Sequence, residues 1–234
     1  MRMSDDTTPL HIATVFQGGE ESAPTGGNLL GVFFDAPSLG AELRQRIAAD
    51  LGFSETVFVE DPDTARLHIH TPEVELPFAG HPLVGTSWLL ERRGARPAAL
   101  LPPAGPVPTW AEGDLTWIRA DPKTAPEFTT VQLGSAAEVD AADGRPGANL
   151  HVWAWEDEER GRVRVRVFPR LMGIDEDEAT GAAAVRLGER LRRPVSIRQG
   201  AGSRIEVRPG PDGTVEVGGR AALVETREYR IPAP

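Results

Sequence analysis

Residues Glu73 to Leu90 read EVELPFAGHPLVGTSWLL, and their reading decides the fold. A strand-like run ends in Phe78-Ala79-Gly80-His81-Pro82, and a helical run follows at once. The first backbone N–H groups of such a helix have no intrahelical partner and are free to hold an anion. Leu83, Val84, Trp88, Leu89 and Leu90 make the helix apolar around most of its circumference, which suits a helix wrapped by strands. A second stretch, Ile174 to Arg190 (IDEDEATGAAAVRLGER), has the same grammar: an acidic turn, then Thr180-Gly181, then a small-residue helix. Two helix starts of this kind predict two lobes with a site between them.

Composition narrows the function. The chain has 234 residues, enough for one large domain or two smaller ones, and can bury a real core. Its net charge of -10 argues against a nucleic-acid or anionic-membrane partner, since both need a basic face. Lys123, in a turn-like Asp-Pro-Lys stretch, is the only lysine, so no other residue offers a Schiff-base amine. There is no cysteine, which excludes disulfides, thiolate metal sites and cysteine nucleophiles. No apolar run is long enough to span a bilayer, and the N-terminus lacks a signal-like apolar region, so a cytoplasmic protein is expected.

Strands are read at His11–Phe16, Leu29–Phe34, Phe53–Glu60, Arg66–Thr71, Leu115–Ala120, Glu127–Leu133, Asn149–Trp155 and Arg162–Phe168. Val195–Gln199, Arg204–Val207, Thr214–Val217 and Ala221–Glu228 finish the chain as short strands. Ser38–Leu51 has helical spacing with Ser38 as N-cap, and Gln17–Asn28 reads as a Gly-rich turn region. Pro and Gly crowd Arg96–Pro108, which marks the lobe junction. One gapless register puts Glu60 on Glu156, Arg66 on Arg162, Gly85 on Gly181 and His81 on Asp177. Such a repeat predicts a pseudo-two-fold pair of lobes. The expectation is an α+β fold of two curved, mostly antiparallel sheets, each around a central helix. The lobes would be residues 1–107 and 108–234, with the last strand free to return to the first.

Ser54-Glu55-Thr56, Glu75–Pro82 (ELPFAGHP), Gly173-Ile174 with Glu176-Asp177 and Thr180-Gly181, then Gln199-Gly200, together resemble the PhzF-like phenazine-biosynthesis isomerases. Order and spacing match from about Val15 to Val207. The resemblance implies a diaminopimelate-epimerase-like fold, a site in the cleft between lobes, and a homodimer. It also implies isomerisation without a cofactor, by proton transfer on a small carboxylate-bearing substrate.

The resemblance places the family's catalytic glutamate at Glu55. Moving a proton between two carbons needs one group that takes it and returns it on the same face, and a partly desolvated carboxylate does both. The bland alternative is a solvent-facing glutamate on a strand. His81, at the first helix start, is a donor or proton shuttle, or else a capping or core histidine. Asp177, its counterpart at the second, accepts from the substrate or serves as an N-cap. Asn28, Gly80, Thr180, Gly181 and Ala182 are the expected substrate contacts. Glu178 and Ala182 stand where the family usually has Pro and Ser, so one hydroxyl is missing and one carboxylate is expected to enter the cleft. His68 and His70 lie two apart with no third ligand at a recognisable spacing, so no metal site is expected. Two other functions stay open: a non-catalytic binding protein of the same fold, and an amino-acid epimerase, which the missing cysteine pair disfavours.

Overall fold

The opening stretch folds as a helix enclosed by strands, in a computed structural model that describes residues 7–34, 39–145 and 147–232. The chain begins with β1 (Thr7–Glu20), β2 (Ala23–Thr25), β3 (Asn28–Phe33), α1 (Ala41–Leu51), β4 (Glu55–Asp61), β5 (Arg66–His70) and β6 (Glu75–Leu76). Helix α2 (Gly80–Arg92) follows, then β7 (Ala99–Leu100), β8 (Val107–Glu112), β9 (Leu115–Ala120), β10 (Thr129–Gln132) and the short α3 (Ala136–Asp140). The rest is β11 (Asn149–Asp157), β12 (Arg162–Pro169), α4 (Gly181–Leu191), β13 (Val195–Gln199), β14 (Ser203–Pro209) and β15 (Val215–Arg230). The fold is α+β and dominated by sheet.

One continuous path of paired strands runs β10-β11-β12-β13-β14-β15-β1-β3-β4-β5-β6. Strand β15 is its hinge point: it pairs with β14 and β9 at its start and with β1 from Thr7↔Arg230 to Gln17↔Arg220. Two strands were expected here, split near Gly218-Gly219, yet the strand runs through. A Cβ at Gly218 would lie 2.4 Å from the Trp117 ring, and one at Gly219 2.4 Å from the Phe16 ring. These glycines make room for aromatic side chains and do not turn the chain.

Two further expectations need correction, at Gln17–Asn28 and at Ser38, and the Pro-rich segment carries some structure of its own. The Gln17–Asn28 region is largely paired, since β1 continues to Glu20 and turns back through β2. The Pro-rich Arg96–Pro108 segment holds a small edge pair, Ala99↔Pro108 and Leu100↔Val107, where a proline costs no interior hydrogen bond. Helix α1 starts at Ala41 with Gly40 as its N-cap; Ser38 lies outside the described residues.

Two hairpins share local features, but the gapless register does not extend to the central helices. The β4–β5 hairpin has its bulge where Asp61 meets Arg66, and the β11–β12 hairpin where Asp157 meets Arg162. Each hairpin follows a strand–helix–strand unit with parallel pairing, Leu30↔Glu55 through α1 and Thr130↔His151 through α3. At the central helices, however, Gly80 and not Gly85 meets Gly181. A Cβ on either would lie 2.7 Å from the other's Cα. An added 3-10 turn, Arg170–Met172, separates β12 from α4 and breaks the gapless register.

The main core runs through the whole chain, from Val15 and Leu30 through Leu83 and Val84 to Val185 and Val217. Ten of the thirteen residues of α2 are buried, which is why its sequence is apolar all round. A smaller core lies under α1, where Ile47 packs near the stacked rings of Phe33 and Phe58, 5.2 Å apart.

The Gly80–Gly181 contact allows no side chain on either residue. Gly80→Ala or Gly181→Ala is expected to cost about 1–3 kcal/mol, as overpacking does when backbone must move. Urea denaturation of each variant measures this as a lowered midpoint at unchanged slope.

Candidate active site

Three elements deliver one cluster of buried polar groups. Glu55 opens β4 and is fixed by its parallel register with Leu30 on β3. His81 is the second residue of α2. Asp177 is held on β12 by an isolated bridge, its N–H donating to the Val167 carbonyl at 3.0 Å. The N-cap of α4 is Thr180, so Asp177 is not the capping aspartate that the sequence allowed.

A chain of hydrogen bonds links the carboxylates. Asn28 Nδ2 donates to Asp177 Oδ1 at 2.6 Å, and Asn28 Oδ1 accepts from Ser54 Oγ at 3.1 Å. Ser54 also bonds the Glu55 side chain. Thr180 Oγ1 donates to Asp177 Oδ2 at 2.7 Å. Gln199, fully buried, donates to the Asp177 carbonyl at 2.7 Å and to Thr180 Oγ1 at 2.8 Å. Asn28 and Gln199 therefore position Asp177.

His81 Nε2 lies 3.4 Å from Glu55 Oε2. This is not an ion pair. Burial lowers the His81 pKa to about 4, against the opposing charge of Asp177 and a hydrogen bond to the Leu29 backbone. Burial raises Glu55 to about 7, with the Ser54 hydrogen bond opposing. Asp177 is also raised, first by burial and then by the charge of Glu55, while His81, Thr180 and Asn28 oppose. Near neutral pH the histidine is uncharged, and two adjacent carboxyl groups compete for few protons. Among the described residues Glu55 Oε2 has no hydrogen-bond partner, an unusual state for a buried oxygen.

A cavity of about 410 Å³ reaches this cluster. Glu55, Asp177, Thr180 and Ala182 line it, whereas Asn28, Gly80, His81 and Gly181 do not. Phe78 and Phe128 supply apolar wall, and neither adjoining helix start is capped by a side chain. Two residues that sequence reasoning did not place at the site, Lys123 and Arg186, also line the cavity. Arg186 lies four residues after Ala182 on the same helix face, a spacing that offered a signal.

Glu178 corrects another expectation. It does not enter the cavity. Its carboxylate turns to the β13–β14 loop, accepting from Ser203 Oγ at 2.6 Å and from the Ala201 N–H at 2.9 Å. Ser203 Oγ in turn accepts from the Gly27 N–H at 2.7 Å, so Glu178 braces the loop before Asn28. His68 lies between Glu60 and Glu75, at 2.9 and 2.5 Å, and His70 meets Gln45 at 3.0 Å. Among the described residues no group of three or more His, Cys, Asp or Glu is arranged to hold a metal.

Comparison with known proteins bears on this geometry. The family profile described as phenazine biosynthesis-like protein (PhzC-PhzF) matches residues 21–151, more than half of the chain. A trans-2,3-dihydro-3-hydroxyanthranilate isomerase from Pseudomonas chlororaphis is 34% identical over 89% of this chain and 88% of its own. The chain belongs to the phenazine biosynthesis-like family. It is an isomerase. Its fold matches that of a phenazine biosynthesis PhzC/PhzF protein from Clostridium difficile (TM-score 0.75, 18% identity, 96% of this chain and 100% of that one). It also matches a PhzF family protein from Bacillus anthracis (TM-score 0.73, 21% identity, 96% and 99%).

The raised pKa of Glu55 makes stability depend on pH in a definite direction. Between 4.5, its ordinary value, and about 7 the folded chain keeps a proton that the unfolded chain has lost, so this group's contribution to stability falls as pH rises. Glu55→Gln removes that penalty. Relative to wild type, the variant is expected to gain up to about 3 kcal/mol above pH 7 and nothing below pH 4.5. Urea midpoints of both proteins at pH 4.5, 6 and 8 check the trend.

Proposed function

We propose that this isomerase moves a proton between two carbons of a small carboxylate-bearing ring substrate, without a cofactor, using Glu55 as acid and base. The observation that supports this best is Glu55 itself: a buried carboxyl at a cavity, with one oxygen unpartnered and a pKa near 7. Such a group is ionised often enough to take a proton and protonated often enough to return one. In the forward step the ionised carboxylate takes a proton from an activated ring carbon. The electron pair left behind shifts along the adjoining double bond. Glu55 then delivers the same proton to the far carbon of that unit, on the same face, and is ionised again.

The neighbours have distinct tasks. His81 is neutral, and with one ring nitrogen engaged by Leu29 its Nε2 faces Glu55, where it orients the carboxyl or exchanges its proton. Asp177 accepts from an amine or hydroxyl of the substrate. The uncapped helix starts at Gly80 and Gly181 favour electron-rich oxygen nearby. The named activity of the Pseudomonas chlororaphis relative makes a dihydro-hydroxyanthranilate-like acid the first substrate to test.

The same reading includes an architecture and a setting. Residues 1–107 and 108–234 form pseudo-two-fold lobes, each a curved sheet around α2 or α4, with β15 returning to the first. The chain acts in the cytoplasm as a homodimer, on a small molecule and not on nucleic acid or a membrane. The negative charge disfavours nucleic acid and anionic membranes as partners, and no helix among the described residues is long and apolar enough to cross a membrane.

The test is proton exchange in D2O with trans-2,3-dihydro-3-hydroxyanthranilate, followed by NMR. Wild type is expected to isomerise it, with the rate rising as Glu55 ionises around pH 7. Glu55→Gln is expected to lower the rate by about 10²–10⁴-fold. Isomerisation at an undiminished rate in the variant would overturn the assignment of Glu55.

A further inference from the structure

Asp177 and Glu178 are consecutive, yet Asp177 lines the cavity and Glu178 does not. Both side chains nevertheless act on one short turn, Gly26 to Asn28. Asp177 Oδ1 accepts directly from Asn28 Nδ2 at 2.6 Å. Glu178 reaches the preceding residue through a single relay. Ser203 Oγ donates to Glu178 Oε1 at 2.6 Å and accepts from the Gly27 N–H at 2.7 Å. Two adjacent acids thus hold two adjacent residues of the turn, one from the cavity side and one from behind.

The turn needs holding. Gly26 and Gly27 have φ of 59° and 92°, and two glycines in a row give the backbone little preference of its own for one conformation. The β13–β14 loop that meets them is built the same way, with Gly200 at φ 53° and Gly202 at φ 127°. The two loops are in close contact: a Cβ at Gly26 would lie 2.3 Å from Ser203 N, and one at Gly200 2.0 Å from Glu178 Oε2. The Glu178 carboxylate sits in this joint and accepts from the Ala201 N–H with both oxygens, at 2.9 and 3.0 Å. It also sets a direction. Ser203 has one hydroxyl proton, and while Glu178 holds it a lone pair stays turned to Gly27. An apolar residue at 178 frees the hydroxyl to rotate and donate elsewhere, which releases the turn.

Resting on the isomerase reading above, we infer that Glu178 is a positioning residue for substrate recognition. Through Ser203 and Gly27 it sets where Asn28 stands, and Asn28 holds the carboxylate of Asp177 that receives the substrate's amine or hydroxyl. The relay acts on recognition more than on proton transfer. Asn28 also accepts from Ser54 beside Glu55, but Glu55 itself is fixed by the register of β4 on β3, which the relay does not touch. Loss of the relay therefore falls mainly on KM.

Two measurements on the full chain test this. With trans-2,3-dihydro-3-hydroxyanthranilate, Glu178→Ala is expected to lower kcat/KM about tenfold, mostly through KM, while Glu178→Gln, which keeps an acceptor for Ser203, stays within about threefold of wild type. Ser203→Ala breaks the relay at its middle and is expected to behave as Glu178→Ala does. Adding Glu178→Ala to Asn28→Ala is expected to change kcat/KM by less than about twofold, because the path is already cut. The second measurement needs no turnover. In 15N-labelled protein the Asn28 side-chain amide, identified by its loss in Asn28→Ala, is expected to exchange with solvent about tenfold faster or more in Glu178→Ala and Ser203→Ala, and at the wild-type rate in Glu178→Gln. Amide exchange that neither Glu178→Ala nor Ser203→Ala alters, an unchanged kcat/KM in both, or a Glu178→Ala loss that persists in full beside Asn28→Ala overturns the relay while the role of Glu55 stands. If wild type does not turn over this acid, the isomerase reading of the substrate falls, and the amide exchange alone decides the relay.

Discussion

The structure depends on one close contact, the backbone of Gly80 against the backbone of Gly181. Two helices meet there start to start. Each carries a partial positive charge of roughly half a unit at that end, and neither start has a side-chain cap. Left alone, the two ends would repel. Electron-rich groups must therefore stand close by, and Asp177 and Glu55 are the ones the fold supplies. The contact that joins the two halves of the chain is thereby the same feature that creates an environment for anions. Neither glycine can gain a side chain without separating the helices, so the joint and the site cannot be altered independently.

Burial acts against this attraction, and the balance sets the protonation states. Ionised carboxylates are favoured by the helix ends and by donors such as Asn28 and Thr180. They are disfavoured by loss of water and by each other. Asp177 has hydrogen-bond donors on both oxygens, whereas Glu55 has one oxygen without a partner. The difference divides the labour. A carboxylate with both oxygens engaged is fixed and suits recognition. One with a free oxygen beside a cavity can exchange a proton with a ligand. The hydrogen-bond network around Asn28 and Gln199 directs its donors to Asp177 and Thr180 and leaves one Glu55 oxygen bare, and that asymmetry is a property of the fold rather than of either residue alone.

How much of this was legible in the sequence depends on the range of the interactions. The period-2 run Arg162–Phe168 and the two helix starts at Gly80 and Gly181 were readable because neighbours along the chain specify them. The continuity of β15 was not, because Gly218 and Gly219 look like a break until Trp117 and Phe16, far away in sequence, are seen filling their space. The slip between the halves was hidden because the hairpin bulges keep register while a 3-10 turn displaces only the helix. Within the site, Glu55, His81 and Asp177 were singled out by motif. Their convergence follows from the Leu30↔Glu55 pairing and the Val167–Asp177 bridge, which no local pattern encodes. Lys123 was noted as the sole lysine, but its place on the cavity was not legible, because contacts from Arg186 on a distant helix fix the segment that carries it.

The two departures from the usual family block separate once their surroundings are seen. Glu178 looked like a third carboxylate for the cleft, which would have raised the cost of ionising Glu55. It turns instead into the β13–β14 loop, where the Ala201 N–H and Ser203 Oγ satisfy it, and Ser203 carries the link on to Gly27. The next residue after Gly27 is Asn28, which holds Asp177. Glu178 thus acts on the site from behind, through the placement of Asn28, and adds no charge to the cavity. Ala182 is the opposite case. It faces the cavity directly and removes a hydroxyl from it, so its effect falls on what is bound and where the polar end of that molecule must lie. A chain with the same helix start but one side-chain donor fewer leaves the free backbone N–H groups of that turn as the donors for an electron-rich group.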